Sequence, residues 1–393
     1  MRRINPLDFE LSEKVKALPP YLFAELERIV RQKRLEGADL ISLSIGDPDL
    51  PPPKVVVEAL KEEVAKPENH GYSFSEGEYE FRLAVSDWYK RRFNVDLDPN
   101  REVVALLGSK EGLCNIARAF LNEGDRVLLP DPAYPVYANG ATILSGGVPV
   151  YFPLLEENSF LPSFEGVDVK GAKMMFVNYP NNPTGAVISL EKLRELVDFA
   201  LDNKVILCYD NAYSEISFGD YRAPSVLQVD EAREVAVEFH SCSKTFGMTG
   251  SRIGFAVGNE KLITGLKKVK SQVDSGPPKY IQLAAAKALK MYAEENPPPF
   301  VKEACQTYYR RVKILVEELN SMGLKCQMPK ATFYVWAKCG TSSINFVKKM
   351  LEVNVVATPG VGFGKYGEGY VRFSATCQEE KIKEACERLK KIL

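Results

Sequence analysis

At 393 residues the chain exceeds the roughly 250–300 at which a single hydrophobic core stops growing, so two domains are expected. Hydrophobic residues at 45% and charged residues at 26% exclude a disordered chain. With 51 Lys plus Arg against 52 Asp plus Glu, no net field draws the chain toward nucleic acid or an anionic membrane, so small-molecule partners are expected, with no nucleic acid and no membrane. The opening MRRINPLDFELSEK has no apolar run behind its basic residues, and no stretch of about 18 apolar residues occurs anywhere. Neither a secretory signal nor a membrane span is therefore expected, and the cytoplasm is the default. The cysteines form no CxxC pair and read as reduced thiols. With only His70 and His240, a histidine-rich metal site is excluded and a Ser–His–Asp hydrolase is disfavoured.

In chain order, the pattern predicts first a helix over Tyr21–Leu35, packing with a second domain. From Glu102 to Gly258, short apolar runs (VVALL, RVLLP, VPVYF, KMMFVNY, VILCYD, EVAVEF and RIGFAV) alternate with amphipathic stretches. One such stretch, LEKLRELVDFAL, places Leu193, Leu196, Val197, Ala200 and Leu201 on one helical face. The alternation predicts an α/β fold, a mostly parallel sheet with helices on both faces, in which ligands sit beyond the carboxyl ends of the strands. After Gly276 and Pro277 the pattern becomes mostly helical, broken by the prolines at 297–299. It then ends in FYVW, VVATP, YVRFSAT and a closing helix in EEKIKEACERLKKIL, a smaller α+β unit. The expected division is 46–285 for a large domain, with 1–45 and 286–393 forming an N-terminal arm and small domain.

Residues at the predicted strand ends carry the chemistry. SCSKTFGMTGSRIG at 241–254 places Lys244 among small residues and hydroxyls, with Arg252 eight positions on. That is the makings of an amine nucleophile beside an anion site, a solvated loop lysine being the plain alternative. YDNAYSEI at 209–216 sets Asp210 at the end of an apolar run, where a turn or helix-cap residue is equally ordinary. NYPNNPTG at 178–185 reads as turn chemistry. GSKEGL at 108–113 follows a strand and opens a helix whose amides and positive dipole end can hold an anion, although Ser109 also serves as a simple cap.

These segments, in this order, resemble the signatures of class I/II, fold-type I aminotransferases that depend on pyridoxal 5′-phosphate (PLP). The resemblance implies that Lys244 carries the cofactor as a Schiff base, that Ser109, Lys110, Ser241 and Arg252 bind its phosphate, and that Asp210 pairs with the pyridine nitrogen. It implies that Tyr213 and Asn182 donate to the phenolic oxygen and that Tyr134 of DPAYPVY stacks on the ring. Arg372 of YVRFSAT would grip the substrate α-carboxylate, with Gly46 of SIGDPD beside it. Tyr72 of GYSFSEG would reach the phosphate of a neighbouring subunit, which makes a homodimer with shared sites the expected state. Lys244, Asp210 and Tyr213 would be catalytic, Lys244 moving the Cα proton in a ping-pong cycle. The chemistry agrees, since a phosphate suits a forked guanidinium and hydroxyl donors, and a carboxylate keeps the ring nitrogen protonated so that the ring can accept an electron pair.

A closer resemblance, in LPPYLF, IGDPDLPPPK, WYKRRFNVDLDP, EFHSCSKTFGMTG and VDSG, is to the LL-diaminopimelate aminotransferase branch, where Tyr21 would also contact substrate. Ser75 stands where some members carry a glutamate, and DSGPPKYIQ departs from the branch. No arginine is placed like the one that grips the side-chain carboxylate in dedicated aspartate aminotransferases. An aspartate- or alanine-type or broad-range enzyme is the alternative. A PLP decarboxylase, aldolase or C–S lyase shares the fold, while a non-catalytic PLP-binding regulator would need a DNA-binding module and a basic surface that this sequence lacks.

Overall fold

The computed structural model describes residues 9–19, 22–293 and 296–393. Seven of the apolar runs form one sheet: β2 (Val103–Leu106), β3 (Arg126–Asp131), β4 (Val148–Pro153), β5 (Ala172–Asn178), β6 (Ile206–Asp210), β7 (Ala236–Ser241) and β8 (Gly254–Gly258), preceded in the chain by the short β1 (Ile41–Ser42). Their order is β2-β8-β7-β6-β5-β3-β4, and β8 alone runs against the rest, as its antiparallel pairing with both β2 and β7 shows. The α/β, mostly parallel reading therefore stands.

The side-chain period of two explains why these runs are apolar at successive positions. Val103, Leu128, Met175 and Leu207 enter one core, while Val104, Val127, Met174 and Cys208, one residue away, enter the core on the opposite face. Helices cover both faces. The helix Leu190–Asn203 starts at Ser189, whose side chain accepts from the Lys192 amide, and buries Leu193, Leu196, Val197 and Ala200 against the first face. The helices Ser109–Phe120 and Glu260–Val273 cover the second through Leu113, Ile116, Leu262 and Leu266.

The C-terminal part is built on β9 (Tyr334–Lys338), β10 (Val355–Val356), β11 (Thr358–Pro359) and β12 (Tyr370–Ser374), of which β11, β12 and β9 form an antiparallel sheet. Its core joins Val335, Val371 and Phe373 to Val312, Leu315 and Leu319 of the helix Pro299–Ser321 and to Ile382 and Leu389 of the closing helix Glu379–Leu389. The N-terminal segment belongs with this part: β1 pairs in parallel with β10, and Val30 of the helix Leu22–Leu35 clusters with Val356.

Two details add to the sequence pattern. Helix Lys279–Leu289 runs across position 285, and Ala286, Ala288, Leu289, Tyr292 and Val301 pack into the same core as the large sheet. An apolar stripe shows that a helix has a buried face but not which core receives it. The prolines at 297–299 do interrupt the helical pattern, between the helices Lys279–Leu289 and Pro299–Ser321, and the last of them also opens the second helix, with Pro299 at its first position, where a missing N–H costs nothing.

The loop after β6 is clamped from behind. Glu215 accepts from Arg92 Nε at 3.1 Å and from the Tyr292 hydroxyl at 2.9 Å, with the Arg92 and Glu215 side chains 6% and 2% exposed. Glu215→Ala leaves Arg92 buried without its counter-charge and lowers unfolding stability by about 3–5 kcal/mol in urea titrations. Glu58→Ala, which breaks an exposed pair with Lys61, changes it by about 0.5 kcal/mol or less.

Candidate active site

In this sheet the carboxyl ends of β2, β3, β5, β6 and β7 share one edge. Asn178, Asp210 and Ser241 are the last residues of β5, β6 and β7, and the reversed β8 begins at Gly254, opposite both Ser241 and Leu106. The reversal returns Arg252 to the edge that Ser241 has just reached. A cavity of about 360 Å³ lies over this edge and is closed by Gly46, Tyr334 and Arg372 from the C-terminal side.

Of the residues singled out in the sequence, Gly46, Ser109, Lys110, Tyr134, Asn182, Asp210, Tyr213, Ser241, Lys244, Arg252 and Arg372 all line this one cavity. Tyr72 and Ser75 do not line it: Tyr72 is 91% exposed, and the Ser75 hydroxyl donates to the Asp274 carbonyl at 3.1 Å. Tyr21 lies outside the described residues. A larger cavity, about 500 Å³, sits behind the loop after β6 beside Glu215 and Cys305 and holds none of these residues.

Lys244 follows β7 on the short helix Cys242–Thr245, capped by Ser241, whose Oγ accepts from the Ser243 amide. Its Nζ donates to the Gly46 carbonyl at 2.7 Å. Burial lowers its pKa to about 8, Arg372 and Arg252 push the same way, and Asp47 opposes them. Asp210 is the mirror case. Burial raises its carboxyl to about 6 against the hydrogen bond from Tyr137. Oδ2 accepts that bond at 2.7 Å, and Oδ1 is buried with no hydrogen-bond partner among the described residues. Asn178 ties the two strand ends together, donating to the Asp210 carbonyl and accepting from the Asn182 amide, both at 2.8 Å.

At the opposite end, no side chain among the described residues caps the helix Ser109–Phe120, and its first residues, Ser109 and Lys110, line the cavity with the positive end of the helix. Arg252, in the left-handed region at φ 54°, lays its guanidinium across this terminus, donating to the Thr249 and Leu107 carbonyls at 2.9 and 3.1 Å. Only glycine fits beneath it: a Cβ on Gly108, at φ +86°, would sit 2.6 Å from Arg252 Nη2.

Arg372, 1% exposed, donates to Asn182 Oδ1 at 2.7 Å and to the Ser44 carbonyl at 2.5 Å. Occupying Asn182 Oδ1 leaves that residue's Nδ2 to donate into the cavity. The sequence reading missed Tyr137, the partner of Asp210, and Tyr334, whose hydroxyl is 2.9 Å from that of Tyr213. The signal for Tyr137 was its place one helical turn after Tyr134 in DPAYPVY. Tyr334 had no local signal.

A family profile for aminotransferase class I and II matches residues 38–389. The chain belongs to the class I and II aminotransferases. Class members that it resembles include proteins named LL-diaminopimelate aminotransferase from Aquifex aeolicus, 52% identical over 98% of this chain and 99% of that protein, and from Desulforudis audaxviator, 47% identical over 98% and 99%. Among solved structures, an aspartate aminotransferase mutant from Thermus thermophilus superposes with a TM-score of 0.91 at 30% identity, covering 98% and 100% of the two chains. An aromatic aminotransferase from Pyrococcus horikoshii superposes with a TM-score of 0.86 at 35% identity, covering 92% and 98%. The class depends on PLP, and this cavity fits that cofactor. An amine held toward neutrality by burial, a buried carboxylate oxygen without a partner and an anion cradle of Ser109, Ser241 and Arg252 match its aldehyde, ring nitrogen and phosphate.

Two measurements follow from the shifted groups. In cofactor-free protein, acylation of Lys244 rises with pH about a midpoint near 8, ahead of the other lysines, as peptide mass spectrometry would show. For Asp210, a pKa raised from 3.8 to about 6 means that the folded state binds the proton more tightly, so ionisation penalises folding above about 6 and the penalty vanishes below 3.8. Relative to the parent, Asp210→Asn therefore gains roughly 3 kcal/mol of stability between about pH 3 and pH 8, measured on cofactor-free protein.

Proposed function

We propose that the chain moves an amino group between LL-diaminopimelate and a 2-oxo acid such as 2-oxoglutarate, as a homodimer in the cytoplasm. The observation that carries the substrate reading is the near-full-length similarity to proteins named for that substrate. The aspartate and aromatic enzymes that share the fold are more distant, and fold alone does not select a substrate.

PLP, when bound, supplies an aldehyde that condenses with amines and a ring that takes up the electron pair released at the substrate Cα. The protein's own residues do the rest. With the cofactor bound, Asp210 Oδ1 would accept a hydrogen bond from the protonated ring nitrogen, and the Tyr213 hydroxyl and Asn182 Nδ2 would donate to the phenolic oxygen. Ser109, Ser241, Arg252 and the helix end would hold the phosphate, and Tyr134 would lie against the ring. Lys244 Nζ takes the Cα proton and returns it, a role suited to an amine whose pKa is already close to neutral. Arg372, its guanidinium oriented by Asn182 and Ser44, grips the α-carboxylate beside Gly46.

LL-diaminopimelate carries a second ammonium and carboxylate, and each would cost about 1–3 kcal/mol if left unpaired in a closed site. Lys110, which the resemblance also sets at the cofactor phosphate, lines the cavity and is one proposed contact for the distal carboxylate. Tyr21 and Ser75 are the other proposed contacts. Ser75 lies on the same stretch as Tyr72 and Phe74, which are 91% and 67% exposed. The exposure of these aromatics supports the proposed homodimer, in which Tyr72 would reach the partner's phosphate site.

Borohydride reduction of PLP-loaded protein is expected to fix the cofactor on the peptide containing Lys244, and Lys244→Ala to bind PLP reversibly with almost no turnover. Single-turnover half-reactions with LL-diaminopimelate, glutamate, aspartate, alanine and aromatic amino acids test the substrate. LL-diaminopimelate should react fastest. A rate no higher than that of alanine, or equal reaction with the meso isomer, refutes this substrate and favours the aspartate- or alanine-type alternative.

A further inference from the structure

Tyr334 opens β9, lies opposite Ser374 of the neighbouring β12, and is 2% exposed. Its hydroxyl is 2.9 Å from the Tyr213 hydroxyl, and the two rings meet nearly edge to face at 5.6 Å. The face of its ring lies 4.3 Å from the Arg372 guanidinium carbon, whose other neighbour is the Phe363 ring at 4.7 Å. A Cβ on Gly46 would fall 1.9 Å from Tyr334 Oη, so the phenol also occupies the space that keeps position 46 glycine. One side chain thus touches the residue facing the cofactor, the residue gripping the substrate, and the backbone that accepts from Lys244.

We propose that Tyr334 is a positioning residue with two separable parts, a hydroxyl that sets the direction of the Tyr213 hydrogen bond and a ring that sets the plane of the Arg372 guanidinium. The inference rests on the roles proposed above for Tyr213 and Arg372. Either hydroxyl can donate in the pair. A Tyr213 that donates into the cavity must accept from Tyr334, and accepting a bond strengthens it as a donor. Arg372 has two of its nitrogens committed to Asn182 and Ser44, and an aromatic face in a desolvated site holds the flat cation against tilting. Sequence spacing could not announce either contact, because Tyr213 and Tyr334 are 121 positions apart.

The test uses two variants and two readouts on PLP-loaded protein, neither of them turnover. Tyr334→Phe keeps the ring and drops the hydroxyl. It is expected to raise the midpoint of the pH-dependent visible absorbance by about half a unit to one unit, because the phenolic oxygen loses part of its hydrogen-bond support. Its affinity for 2-methylglutamate, an amino acid without a Cα proton, should stay within about two-fold of the parent, whereas Tyr334→Leu, which also removes the ring, should weaken it about ten-fold or more. Tyr213→Phe and Arg372→Lys are the controls. If Tyr213→Phe leaves the midpoint in place, or Arg372→Lys leaves the affinity in place, the roles proposed for those residues are wrong. If both controls respond while Tyr334→Phe keeps the parental midpoint, the hydroxyl part is overturned, and an unchanged affinity in Tyr334→Leu overturns the ring part. Should Tyr334→Leu not fold, as thermal melting would show, the Tyr334→Phe midpoint alone decides.

Discussion

A buried carboxylate at the end of a central strand, with one oxygen left without a hydrogen-bond partner among the described residues, is the constraint around which the site is organised. A charge in such a place is costly unless something arrives to meet it. The protein holds the cost in place: Tyr137 fixes one oxygen, Asn178 fixes the backbone, and the residue, 5% exposed, meets the outside only through the cavity it lines. Lys244 is the complementary case, a cation pushed toward neutrality by the same burial. Both groups are tuned away from their behaviour in water by the scaffold alone, before any ligand contributes.

Much of the fold was legible because parallel strands buried on both faces are apolar at successive positions rather than alternate ones, and runs such as KMMFVNY and VILCYD stand out for that reason. Positions just beyond those runs were then chemically informative, and Asp210, Asn182, Ser241, Lys244 and Arg252 do meet in one cavity. What the pattern left open was which core receives an amphipathic helix, as with Lys279–Leu289, and which distant side chains touch. Tyr334 meets Tyr213 only through the packing of β9 against the loop after β6, and no local spacing encodes that contact. Tyr72 is legible as a resemblance and Ser75 as a departure from it, but in a single chain neither lines the cavity.

The anion end of the cavity shows how a single strand reversal replaces a second binding element. Because β8 runs against β7, the segment from Ser241 to Arg252 leaves and re-enters the same edge. The amine, a hydroxyl and a guanidinium therefore come from one short stretch, while the helix end at Ser109 supplies the fourth component from the neighbouring β2.

The strand β1 and the residues after it are sewn to the C-terminal part rather than to the large sheet. Leu43 accepts from the Ser374 amide, Ser44 from Thr358 and Arg372, and Ile45 from Thr376. Gly46 and Arg372 consequently behave as one jaw, stitched through the backbone, that bites against a fixed anvil of strand ends. The Lys244 bond to the Gly46 carbonyl is a latch across the gap between jaw and anvil. Whatever engages the Lys244 amine competes for this contact, so the covalent state of that lysine is tied to the bond it makes across the gap.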